Sequence, residues 1–159
     1  MIWGMSTETF TRVHVLISLA GIASGLIVVF GMVAGKRLDG WSVVFLLTTA
    51  ATSIIGFGFP FEHLSPAHKL GIVSLVVLVV VVYARYARHL AGRWRRIYVI
   101  GVAIALYLNV FVGVVQAFMK VPGLAALAPH RNEPPFLIAQ LIVLLLFVVL
   151  TIVAARRFV

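Results

Sequence analysis

The chain has 159 residues, 63% of them apolar, and a mean hydropathy of +1.16, far above what a soluble domain of this length can bury. Its 13 Lys and Arg stand against 4 Asp and Glu, a net charge of +9, and cysteine is absent. These values exclude a soluble enzyme fold, and they remove disulfides, thiol nucleophiles, zinc–thiolate sites and covalently attached c-type haem.

Apolar runs fall at roughly 11 to 34, 41 to 61, 67 to 90, 97 to 119 and 135 to 155. Each is close to the ~20 residues needed to cross a hydrocarbon core ~30 Å thick. The expected fold is all-α: a polytopic transmembrane bundle with five spans, forming a single domain over residues 1–159. Lipid offers the backbone no hydrogen-bond partner, and a continuous run such as "LGIVSLVVLVVVVYARYA" lacks the alternation of a barrel strand.

The first run is preceded by Glu8 and by Arg12 as its only base, and is longer than a signal-peptide core, so it reads as a retained helix. Met5, followed by "STETF", is a candidate start beside Met1, with Ser6 or Thr7 placed to cap the helix. The breaks "GKRLDG", "PFEHLSPAH", "HLAGRWRR" and "KVPGLAALAPHRNEPP" carry turn residues. Within the last, "PGLAALAP" suits a short interfacial helical turn, and Pro134 and Pro135 suit the start of the final helix.

Orientation follows from the basic residues, which accumulate in cytoplasmic loops. One side collects Lys36, Arg37, Arg85, Arg88, Arg93, Arg95, Arg96, Arg156 and Arg157; the other has Arg12, Lys69, Lys120 and Arg131 together with Glu8, Glu62 and Glu133. The amino end is therefore expected outside and the carboxyl end in the cytoplasm. "RYARHLAGRWRR" lies beside two spans, so Arg93, Arg95 and Arg96 are expected to meet anionic lipid headgroups and not nucleic acid.

Polar residues within the spans gather toward the outer side. His14, His68, Gln116 and Gln140 fall at similar depth at ~1.5 Å per residue, one on each of four helices. Asn109 shares a face with Gly113 and Gln116, and His14 shares one with Ser18, Gly21 and Gly25. Thr48, Thr49, Thr52, Ser53 and Gly56 add hydroxyls and a close contact on the second span. The expected ligand pocket is shallow, open outward and lined by Asn109, Gln116, Gln140 and Glu62. No charged residue occupies the middle of a span, which weighs against a proton-coupled carrier or voltage sensor. Inverted repeats, a P-loop, a dinucleotide fingerprint and a G-x-S-x-G elbow are also missing.

Each histidine has a plain reading. His63 and His130 meet solvent in loops, and His89 lies among arginines. His14, about a turn inside its span, needs a partner within the bundle, for which a backbone carbonyl, a glutamine or a water suffices. The sharper alternative is a haem b ligated by His14 and His68, with Gly21 and Gly71 leaving room for the porphyrin. A copper or zinc ion among His14, Glu62, His63 and His68 is another. Catalysis would need a histidine base oriented by Glu62 or Glu133; Ser65, Ser74 and Thr11 are near in sequence, but none is marked as a nucleophile.

The strings "HVLISLAGIASGLIVVFGMVAGK", "TSIIGFGFPF", "PAHKLGIVSLVVL", "IALYLNVFVGVVQAF" and "EPPFLIAQ" together resemble small uncharacterised bacterial multi-span inner-membrane proteins, over most of the chain. The resemblance implies a bacterial inner membrane and carries no established activity. The expected role is non-enzymatic: binding a lipid, quinone or haem in the outward pocket, or serving as accessory subunit of a membrane complex or as a homo-oligomer. The binding version expects His14 and His68 to face each other. The accessory version expects the small-residue face of Gly21 and Gly25 to stay free for a partner.

Overall fold

The computed structural model describes residues 1–60, 63 and 65–158, and its ordered elements are helical. Helices α1 (Thr7–Val33), α2 (Asp39–Gly56), α3 (Pro66–Val82), α4 (Trp94–Lys120), α5 (Pro122–Leu127) and α6 (Pro134–Arg157) follow in order, and α3 runs on into a π-helical turn, Tyr83–Ala87. α1, α2, α3 with its π turn, α4 and α6 are the five helices long and apolar enough to cross a membrane.

Local chemistry sets the helix ends. The Ser6 hydroxyl accepts from the Thr9 N–H at 3.2 Å, which starts α1 one turn before its apolar run. At the other end Gly35, at φ +73°, takes the left-handed conformation that stops the helix, and its N–H bonds the Met32 carbonyl. α2 is shorter than the sequence suggests, because the chain turns at Phe57 and Gly58; its 18 residues still span about 27 Å. α4 starts earlier than its apolar run, at Trp94, whose ring packs edge-on against Tyr83 at 5.1 Å and under the Arg88 guanidinium. Pro134 opens α6, and the short helix expected in "PGLAALAP" forms as α5.

The helices alternate in direction. Gly21 of α1 lies against Thr48, Thr49 and Asn109, and one turn on Gly25 lies against Phe45 and Leu106, so α2 and α4 both run opposite to α1. α4 also packs on α3 and α6, and α1 reaches α6. The core of Val29, Phe45, Val81, Tyr98, Val102 and Leu106 lies where α1 to α4 meet. A smaller cluster of Phe118, Ala128 and Phe136, with Leu124 of α5 against it, closes one end. That end carries His14, His68 and His130 and is called the histidine end below; the opposite one, with His89 among its arginines, is the arginine end. Between them, Leu16, Leu47, Val79, Leu141, Leu145 and Val149 are exposed on an apolar belt, and α6 is the least buried span. A water-soluble monomer rarely exposes so continuous an apolar surface.

The close approach at Gly25 sets the spacing of α1 to its neighbours. A Cβ there would stand 2.6 Å from Leu106 Cδ1 and 2.8 Å from Phe45 Cε1, whereas one at Gly113 would meet Ile22 Cδ1 at an ordinary 3.5 Å. Gly25→Val should therefore destabilise the bundle by roughly 1–3 kcal/mol, while Gly113→Ala leaves it unchanged. Thermal unfolding in detergent, followed by tryptophan fluorescence, separates the two; equal midpoints would contradict this packing.

Candidate functional site

At the histidine end His14, His68, Asn109 and Gln140 each have a partner within the chain. His14 Nε2 lies 3.2 Å from the Thr52 carbonyl oxygen, and its ring meets Phe59 edge-on at 5.3 Å. Gly56 borders this contact, and a Cβ there would meet His14 Nε2 at an ordinary 3.6 Å. His68, buried in the first turn of α3, completes a capping box: its Nδ1 accepts from the Ser65 N–H at 3.3 Å while the Ser65 hydroxyl receives the His68 N–H. Its ring tilts against Phe57 at 5.5 Å. Asn109 Nδ2 donates to Thr49 Oγ1, and Gln140 Nε2 to the Phe111 carbonyl, each at 3.2 Å. Gln116 is half-buried on α4, and Glu62 lies outside the described residues.

These bonds run between different pairs of elements. His14 ties α1 to α2, Asn109 ties α4 to α2, Gln140 ties α6 to α4, and Ser53 with Ser74, at 3.3 Å, ties α2 to α3. The glycine faces expected to admit a porphyrin carry side chains of this chain: Phe57 covers Gly71, at 3.2 Å from a would-be Cβ, and Thr48, Thr49 and Asn109 cover Gly21. Gly21 and Gly25 are buried, so the face expected to remain free for a partner is instead spent on α2 and α4. Among the described residues no three His, Cys, Asp or Glu side chains gather closely enough to hold a metal ion.

One histidine does meet an acid. His130 Nδ1 lies 3.0 Å from Glu133 Oε1, on a loop where the His130 side chain is 81% exposed. The carboxylate is already engaged, accepting from the backbone N–H groups of His130 at 3.0 Å and Asn132 at 3.1 Å. Partial burial opposes its ionisation, but these backbone bonds outweigh it, and with the His130 side chain they pull the Glu133 pKa down to about 2. The acid is a loop clamp at the start of α6.

The arginine end holds the feature that sequence reading treated only as loop charge. Arg85, in the π turn, is 4% exposed. Its Nη1 donates to the Tyr98 hydroxyl at 2.8 Å and its Nη2 to Asp39 Oδ1, and its guanidinium stands 5.4 Å from the Tyr98 ring centre. Asp39, the first residue of α2, also accepts from Arg37 Nε at 2.9 Å. A clasp thus joins the starts of α2 and α4 to the end of α3. A signal was present: Ser74, Leu78 and Val81 mark the buried face of α3, and the same helical period lands next on Arg85. Asp39 is moreover the only acid between Glu8 and Glu62. Lys36, Ser42 and Phe158 border the same notch.

Protein-family models, curated proteins and solved structures were each compared with the chain, and none matches.

Two predictions follow from these ends. Asp39→Asn removes the counter-charge of a buried guanidinium and should cost about 2 kcal/mol of stability, while Arg37→Gln, breaking an exposed pair, costs little; equal midpoints on thermal unfolding would contradict the clasp. Because the Glu133 pKa is lowered, its hold on the loop is full above about pH 4.5 and is lost as pH falls from there through about 2. At pH 7, Glu133→Gln should speed amide exchange at His130 and Asn132 severalfold, measured by hydrogen-exchange mass spectrometry, and an unchanged rate would show that the carboxylate does not hold the loop.

Proposed function

We propose that this chain is a non-enzymatic multi-pass protein of a bacterial inner membrane, amino end outside and carboxyl end cytoplasmic, whose ligand is membrane lipid. The exposed apolar belt meets acyl chains, and the arginine end meets anionic headgroups of the inner leaflet, with Arg93, Arg95 and Arg96 at its rim. The observation that carries this reading is the charge difference between the two ends. Nine of the 13 basic residues lie at the arginine end, with Asp39 as the only acid side chain among them. Basic residues beside an anionic leaflet are each attracted to it, and they set the orientation of the chain in the membrane.

Lipid also demands least of the observed geometry. A haem between His14 and His68 would require Phe57 to leave Gly71 and the Thr52 carbonyl to release His14. A catalytic His130 would have to share a Glu133 carboxylate that already holds its loop closed. Acyl chains and headgroups need neither change.

Extraction of the protein with its surrounding lipid in a polymer nanodisc, with analysis of that lipid by mass spectrometry, tests the reading. Anionic phospholipid should be enriched about twofold or more over the bulk membrane, and the visible spectrum should lack a Soret band before and after dithionite. Lipid of bulk composition, or a Soret band that sharpens on reduction, would contradict it.

A further inference from the structure

At the histidine end an open groove of about 360 Å³ runs between Thr11, Arg12, Val15 and Leu16 of α1 and Lys120, the last residue of α4. Leu16 places it on the exposed apolar belt. Its surface is almost wholly apolar although two of the five residues are cations, so Arg12 and Lys120 wall it with their carbon stems and hold their charges at its mouth. The Thr11 hydroxyl donates to the Thr7 carbonyl at 2.8 Å and needs no partner in the groove. Arg12 Nη2 bonds Glu8 Oε1 at 2.5 Å in a pair exposed on both sides, which contributes little and leaves the other guanidinium donors available. Lys120 is exposed and forms no ion pair among the described residues. Against Glu8, the two cations leave one positive charge over.

An apolar groove on this belt fills with hydrocarbon, since water there would find few polar partners. At the ~30 Å³ of a water in the liquid, close to the size of a methylene, the groove takes roughly a dozen chain carbons. Its mouth lies where α1 and α4 leave the hydrocarbon, so the occupant that fits carries an anion at one end of its chain. Guanidinium groups bind phosphate oxygens in paired hydrogen bonds, and an ammonium adds a second point of charge. A zwitterionic headgroup brings its own cation to the same place, so a headgroup of net negative charge is preferred. We infer that the groove seats one anionic phospholipid of the outer leaflet, its acyl chain against Val15 and Leu16 and its phosphate between Arg12 and Lys120. This rests on the lipid reading and the orientation proposed above, and adds to them a site across the membrane from the rim of Arg93, Arg95 and Arg96.

The test is native mass spectrometry of the full chain in detergent, titrated with phosphatidylglycerol, with phosphatidylcholine and with inorganic phosphate. Binding at the arginine end is first reduced by Arg93→Gln, Arg95→Gln and Arg96→Gln, and that triple variant is the background for Lys120→Gln, for Arg12→Gln with Lys120→Gln, and for Val15→Phe. Lys120→Gln removes none of the bonds within the protein described above, so it answers the question even where the double change folds poorly. Phosphatidylglycerol should bind both the parent and the background chain in preference to phosphatidylcholine. Within the background, Lys120→Gln should weaken it severalfold and the double change roughly tenfold. Val15→Phe, which fills the groove and leaves both charges, should also weaken it severalfold. Unchanged affinity in both Lys120 variants, or a background chain that no longer prefers phosphatidylglycerol, would overturn the groove and leave the lipid reading standing. Unchanged affinity in Val15→Phe would overturn the seat of the acyl chain. Equal binding of the two lipids by the parent chain would overturn both readings. Inorganic phosphate that competes with phosphatidylglycerol at millimolar concentration would overturn the lipid as the source of the phosphate.

Discussion

Hydrocarbon cannot accept or donate a hydrogen bond, and the rest of this structure depends on that constraint. A polar group placed in a span is costly unless it finds a partner within the chain or close to a membrane face, and among the described residues Thr52 Oγ1 and Gln140 Oε1 are buried without one. The hydroxyls of Ser18, Ser24, Ser42, Thr48 and Thr151 meet the constraint locally, each donating to the carbonyl four residues earlier. His14, Asn109 and Gln140 meet it across helices, at Thr52, Thr49 and Phe111. Apolar side chains gain little by leaving lipid for one another, so these few bonds and the close approaches at Gly25 and Gly101 specify which helix lies beside which.

The two ends resolve the same constraint differently. At the histidine end polar side chains finish helices: Ser65 and His68 cap α3, and Glu133 fastens the loop before α6. Little charge is left over there. At the arginine end the charge is only partly matched, because Asp39 serves both Arg37 and the buried Arg85. A π turn commonly marks a local departure from regular packing that serves a function, and here it carries the guanidinium that joins three helix ends.

The five spans were legible from hydropathy alone, because a run of apolar residues of the right length has few other uses. Pro134 and Pro135 marked the start of α6, "PGLAAL" the short α5, and the plain account of His14, a backbone carbonyl within the bundle, describes its bond to Thr52. The lateral arrangement was not legible. Core-facing and lipid-facing side chains are equally apolar in such a chain, so nothing in "GIASG" says that Gly21 and Gly25 are consumed by α2 and α4. Phe57 over Gly71 depends on how the α2–α3 turn folds back, which spacing does not encode. His68 stands at the edge of a span, and the S-P-A-H order also makes it the third helical residue after a serine cap, a role that spacing alone could have suggested. Arg85 was hidden by its neighbours: counted with the loop arginines it is one positive charge among nine, and only the phase of the buried face of α3 separates it from them.

The central claim is a chain that crosses the membrane five times with its arginine end in the cytoplasm. Because the chain has no cysteine, a single introduced thiol reports its own position without background. Ala91→Cys in the loop before α4, Gly123→Cys in α5 and Leu145→Cys on the exposed face of α6 would be treated in turn with a membrane-impermeant maleimide, in intact spheroplasts and after permeabilisation. The account predicts that Gly123→Cys labels in both, Ala91→Cys only after permeabilisation, and Leu145→Cys in neither. Labelling of Ala91→Cys and Gly123→Cys from the same side, or of Leu145→Cys from either, would contradict it.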